Sequence, residues 1–89
     1  MIQKKIPIVN RLGLHARAAA KLVHLAGHYA SDITVVQQGE TVDAKSILGL
    51  LQLGAPVGSE VTLRCEGRDE AAAIDAISQL FSDRFGEDS

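Results

Sequence analysis

Eighty-nine residues suit one small domain, 1–89, with room for a single core, and with 46% apolar residues but only 3% aromatic that core must be aliphatic. A formal net charge of −2 argues against nucleic acid as the main partner, because a phosphate backbone needs a basic face, and the few rings argue against an RNA-stacking sheet. No apolar run reaches the ~20 residues of a membrane span, the start lacks the apolar segment of a secretory signal, and a lone cysteine fits a reducing cytosol, so a cytoplasmic monomer is expected.

Ile2, Ile6 and Ile8 fall on one side of a period-2 pattern, with Lys5 and Pro7 on the other, which predicts a strand with one buried face. Pro7 cannot donate a ladder hydrogen bond, so the strand belongs at an edge there or bonds on its other side. The stretch Asn10-Arg11-Leu12-Gly13-Leu14-His15-Ala16-Arg17-Ala18 follows, a polar turn leading straight into an alanine-rich helix. Gly13 is free to take a positive φ and turn the chain sharply. His15 then sits near the N-cap, beside the unpaired N–H groups of the first turn, where the helix dipole favours an anion. With Arg17 two residues on, an imidazole at such a place can carry a phosphoryl group; the plainer alternative is a surface cap, although His is not a preferred one.

Ala16 to Gly27 reads as a helix with Ala19, Leu22, Val23 and Ala26 towards the core and a basic stripe of Arg17, Lys21, His24 and His28 opposite. Such a stripe is either a solvated face or a docking surface for acidic partners. His24 and His28 have ligand-like spacing, but no third ligand is visible, so no metal is expected. Ile33, Val35 and Gln37 mark a second strand, Gln38-Gly39-Glu40 a tight turn, and Thr41 to Ala44 a short return. Ser46 can cap a helix over Ile47 to Leu53. That helix is apolar all round, through Ile47, Leu48, Leu50, Leu51 and Leu53. A helix lying on a sheet cannot bury every side, so Leu48 and Leu51 should form an exposed patch for a partner, unless they pack beneath a loop.

Gly54, Pro56 and Gly58 form a loop. Val61, Leu63 and Cys65 then alternate with polar residues in a strand, which makes Cys65 a buried, inert thiol. After Gly67, Asp69 is expected to cap a last helix whose Ala73, Ile74, Ile77, Leu80 or Phe81, and Arg84 share a face. Gly86 stops it, and Glu87-Asp88-Ser89 is expected to be a solvated tail. The order β-α-β-β-α-β-α predicts an α+β, open-faced sandwich: a four-stranded, mainly antiparallel sheet with three helices on one face.

Gly13-Leu14-His15-Ala16-Arg17 resembles the active-site motif of the histidine-containing phosphocarrier (HPr) family of the bacterial phosphotransferase system. Ala44-Lys45-Ser46-Ile47 resembles that family's regulatory-serine segment at the expected distance downstream, and the element order agrees. Phe81 to Asp88 is more similar to the nitrogen-related (NPr) branch than to the sugar branch. One departure is Ala18, where the family usually has Pro; Ala keeps the helix and adds one N–H. The resemblance implies a stoichiometric carrier rather than an enzyme. His15 would accept a phosphoryl group on Nδ1 from enzyme I and pass it to an enzyme IIA-type protein. Arg17 and the N–H groups of Ala16, Arg17 and Ala18 would stabilise the moving charge. Lys21, His24, Ile47, Leu48 and Leu51 would meet partners, and Ser46 would be the target of an HPr kinase/phosphorylase. The chain has no Gly-rich nucleotide loop and no carboxylate cluster for magnesium, so no cofactor is expected. Two other classes compete: a purely regulatory binder, which would survive loss of His15, and a small acylphosphatase-like hydrolase, whose anion loop and water-placing Asn have no match here.

Overall fold

A computed structural model describes residues 1–88. Its elements are β1 (Ile2–Pro7), α1 (Ala16–Ala26), β2 (Asp32–Gln37), β3 (Glu40–Asp43), α2 (Ile47–Leu53), β4 (Glu60–Glu66) and α3 (Glu70–Ser82), followed by a 3₁₀ turn over Arg84–Gly86. The strands form one sheet in the order β1-β4-β2-β3, and every neighbouring pair is antiparallel. The alternation seen in the sequence fixes the register: Ile6 lies opposite Val61, Val35 opposite Leu63, and Ile33 opposite Cys65. A slip of one residue would turn each of these side chains to the wrong face. That face is buried beneath the three helices, while Lys5, Thr34, Thr62 and Arg64 lie on the open side. Pro7 is in β1, an edge strand, as its missing N–H requires.

Between β2 and β3 the turn is two residues long, with Gln38 and Gly39 at φ 49° and 83° and Gln37 paired to Glu40. Two positive φ values give the turn a twist matched to the flanking strands. The core is aliphatic apart from Phe81 and Phe85, which are both buried and meet edge to face at 4.9 Å between centroids. Cys65 is fully buried, and burial followed by the negative charges of Glu70 and Asp69 pushes its thiol pKa up.

Four expectations need correction. Val23 is only half-buried, and Ala18 joins Ala19, Leu22 and Ala26 inside. Asp69 makes no capping bond; its carboxylate accepts from the Ala30 and Ser31 amides, at 2.8 and 2.9 Å, and from the Ser31 hydroxyl. Those donors converge from the loop before β2, so Asp69 ties that loop to α3 instead of closing its own helix. They hold the carboxyl below the usual carboxylate range. Arg84 is exposed rather than on the core face, because α3 ends at Ser82 and Phe85 takes the inward place. Finally, Glu87 is not solvated: past the 3₁₀ turn the chain lays it against the start of α1. Asp88 is exposed, and the Ser89 part of the expected tail lies outside the described residues.

Candidate functional site

Asn10 builds the loop that presents His15. Its side chain is buried and donates to the Gly13 carbonyl at 2.7 Å, while its own carbonyl accepts from the Gly13 amide at 3.1 Å. Gly13 adopts φ 63°, and a Cβ added there would lie 2.5 Å from the Ala55 carbonyl oxygen. Only glycine meets both demands. The Leu14 amide then donates to that same Ala55 carbonyl at 3.0 Å, so the loop is strapped to the segment between α2 and β4.

His15 occupies the N-cap of α1 with an extended backbone, φ −77° and ψ 178°. The first helical bond runs from the Ala19 amide to the His15 carbonyl at 2.8 Å. The Arg17 amide donates to Nδ1 of the ring at 3.2 Å, so a ring nitrogen performs the work usually given to a hydroxyl or carboxylate. The Ala16 and Ala18 amides belong to the same first turn, whose N–H groups lack helical acceptors. Ala18 turns its methyl into the core and is fully buried. Arg17 is exposed, and among the described residues its guanidinium makes no hydrogen bond or ion pair.

The other ring nitrogen, Nε2, lies 2.5 Å from Oε2 of Glu87. Oε1 of the same carboxylate accepts from the Asn10 amide nitrogen at 3.3 Å. The hydrogen bond with His15, against some desolvation and aided by Asn10, holds the Glu87 carboxyl below its ordinary value. Lys21, exposed on the next turn of α1, donates from Nζ to the Phe85 carbonyl at 2.5 Å. The expected group thus divides. His15 and the Ala16, Arg17 and Ala18 amides share the start of α1; Lys21 is tied to the C-terminal turn; His24 lies further along, its ring edge-on to His28 at 5.1 Å.

The second stretch lies on α2. Ser46 accepts from the Gly49 amide at 3.2 Å and so caps the helix. Leu50 is buried, whereas Ile47, Leu48 and Leu51 are 43%, 74% and 39% exposed. Lys45 reaches back to the Tyr29 and Ser31 carbonyls at 2.9 and 3.0 Å, anchoring the entry to α2.

Sequence reasoning missed Asn10, Phe85 and Glu87. The sequence offered one weak signal, a ring at Phe85 close to the chain's end in a protein with few rings; that it lies past α3, anchoring the turn before Glu87, comes from the structure. Arg84 and Phe85 have φ values of 56° and 54°, a left-handed backbone that costs about 1–3 kcal/mol per residue and persists only when its surroundings enforce it.

A family model described as the PTS HPr component phosphorylation site matches residues 2–83. A phosphocarrier protein HPr of Cupriavidus necator is 51% identical over 87 residues, covering 98% of each chain. A phosphocarrier protein NPr of Shewanella violacea is 44% identical over 88 residues, covering 99% of this chain and 97% of the relative. The crystal structure of HPr-C-His from Thermoanaerobacter tengcongensis superposes over the whole of both chains, with a TM-score of 0.96 at 43% identity.

Proposed function

The chain belongs to the HPr family of phosphocarriers of the phosphotransferase system, and on that premise we propose that His15 carries the phosphoryl group, taking it from a phosphohistidine of enzyme I and giving it to a histidine of an enzyme IIA-type protein. One observation carries the reading: Nδ1 of His15 faces the N-terminal turn of α1 as a hydrogen-bond acceptor. A nitrogen that accepts has a lone pair, and a lone pair at a helix N-terminus is a nucleophile already placed where phosphoryl oxygens are welcome.

In the transfer, the Nδ1 lone pair forms a new N–P bond as the donor's N–P bond breaks and its electron pair returns to the donor nitrogen. The Arg17 amide then moves from the ring nitrogen to a phosphoryl oxygen, and the Ala16 and Ala18 amides lie in the same turn. The free Arg17 guanidinium reaches the moving group from solvent, its planar fork matched to two phosphoryl oxygens. The protein acts stoichiometrically in the cytoplasm, and its partners complete the chemistry. They dock on the face formed by Lys21, His24, Ile47, Leu48 and Leu51, and a kinase/phosphorylase acting on Ser46 would change the charge of that face.

Incubation with enzyme I and labelled phosphoenolpyruvate tests the assignment. One acid-labile phosphate per chain is expected, lost entirely in His15→Ala. Label persisting in that variant, or mapping to His24 or His28, rules His15 out as the carrier. A second reading, a regulatory binder that docks through the α2 patch, draws support from the exposure of Leu48. It predicts that His15→Ala retains partner binding.

A further inference from the structure

The chain past α3 is built to bring a carboxylate to His15. Phe85 is buried edge-on against Phe81, the Phe85 carbonyl accepts from Lys21, and Arg84 and Phe85 both take a left-handed backbone that ends the helix. Two residues later, the side chain of Glu87 is 17% exposed and spans two donors: Nε2 of His15 on one oxygen and Nδ2 of Asn10 on the other. Asn10 is itself 1% exposed and fixed by its bond to Gly13, so the carboxylate rests on a rigid mount.

A carboxylate has only acceptor sites, so the ring nitrogen facing it must donate. That places the proton of a neutral His15 on Nε2. The Arg17 amide reaches the same conclusion from the opposite edge of the ring, because a donor facing Nδ1 requires a lone pair there. Two independent contacts therefore select one tautomer, the one whose nucleophile points at the helix terminus.

We propose that Glu87 is a positioning residue for phosphoryl transfer, holding His15 in the Nε2–H tautomer and stabilising the imidazolium that forms as Nδ1 bonds to phosphorus. This role rests on the phosphocarrier reading given above. When Nδ1 commits its lone pair to phosphorus while Nε2 keeps its proton, the ring becomes a cation. Glu87 already faces that proton with a full negative charge. The proton stays in the Nε2–Oε2 hydrogen bond throughout, and onward transfer returns the electron pair to Nδ1 and the ring to neutrality. Glu87 neither attacks phosphorus nor needs to accept the proton. A carboxylate behind a catalytic imidazole acts in the same way in hydrolytic triads on unrelated folds.

Glu87→Gln and Glu87→Asp test the role through two readouts. Long-range ¹H–¹⁵N correlation on histidine-labelled protein alone, in mild alkali, reads the tautomer; initial phosphorylation by enzyme I and phosphoenolpyruvate reads the chemistry. Wild-type His15 should show a protonated Nε2 and a bare Nδ1. Glu87→Gln should mix the tautomers, because an amide can face Nε2 with either oxygen or nitrogen, and should slow phosphorylation by about tenfold. Glu87→Asp, which retains the charge, should recover part of the rate. Wild type that is phosphorylated normally but carries its proton on Nδ1 overturns the proposal. So does a Gln variant whose tautomer is unchanged, whether its rate is normal or reduced, since a slow rate alone would mark a docking contact. A wild-type protein that takes no phosphoryl group overturns the phosphocarrier reading itself, and this role falls with it.

Discussion

Arg17 serves the start of α1 twice, through a backbone N–H that meets His15 and a side chain left in solvent. Replacement by Ala keeps the first contribution and removes the second, so it isolates the guanidinium. Arg17→Ala should fold normally and slow phosphoryl transfer by at least about tenfold, with Arg17→Lys restoring only part, because an ammonium lacks the planar fork. Equal rates for Ala and wild type, measured with enzyme I and phosphoenolpyruvate, would make Arg17 ordinary surface charge. At this scale the sequence was legible where chemistry is local. Gly13, His15 and Arg17 lie within five residues, and the helix start follows from their types and spacing. Glu87 is 72 residues from His15. An acidic residue near a chain end looks the same whether it is solvated or held, so only the packing of Phe85 reveals it.

Among the elements, α2 separates a structural part from a functional one most cleanly. Ser46 caps it, so Ser46→Ala should cost about 1 kcal/mol in a urea titration. Ser46→Asp keeps an acceptor at the cap and suits the positive helix end, so stability should hold. Its charge, however, lies at the head of the helix that exposes Leu48 and Leu51. If partners dock there, phosphorylation of His15 should slow in the Asp variant while the thermal midpoint stays near wild type. An unchanged rate reduces Ser46 to its cap. The exposure of Leu48 was legible because an all-apolar helix cannot hide every side. The end of α3 was not: the 3.6-residue period continues smoothly to Arg84, but burying the Phe85 ring outweighs the helix's preference and turns the backbone left-handed. Asp69 misled for a similar reason, since its position suits a cap but better donors stand across the loop.

Over the whole molecule, period-2 and period-3.6 patterns yield the seven elements and the covered face of the sheet. The strand order β1-β4-β2-β3 is not written in any one strand's residues and is read from the pairing in the structure. The contacts that close this fold also set its response to acid. Asp69, Glu70 and Glu87 are each held below the usual carboxylate range: Asp69 first by the Ser31 hydroxyl, Glu70 by the Gly67 amide, and Glu87 by His15. The unfolded chain therefore binds protons that the folded chain refuses. Their stabilisation is complete above the unfolded carboxylate values near pH ~4 and is lost as pH falls through the lower folded values. Thermal midpoints taken downward from neutral pH should fall in acid, and Asp69→Asn should start lower and fall less steeply. Parallel profiles for the two proteins would mean that Asp69 is not linked to folding. The central claim is that Nδ1 of His15 carries the phosphoryl group, and it is tested most directly by ¹⁵N and ³¹P NMR of the histidine-labelled protein after treatment with enzyme I and phosphoenolpyruvate. The account predicts a single phosphoramidate, with nitrogen–phosphorus coupling at Nδ1 of His15 and the proton still on Nε2. Coupling at Nε2, or at either ring of His24 or His28, would contradict it.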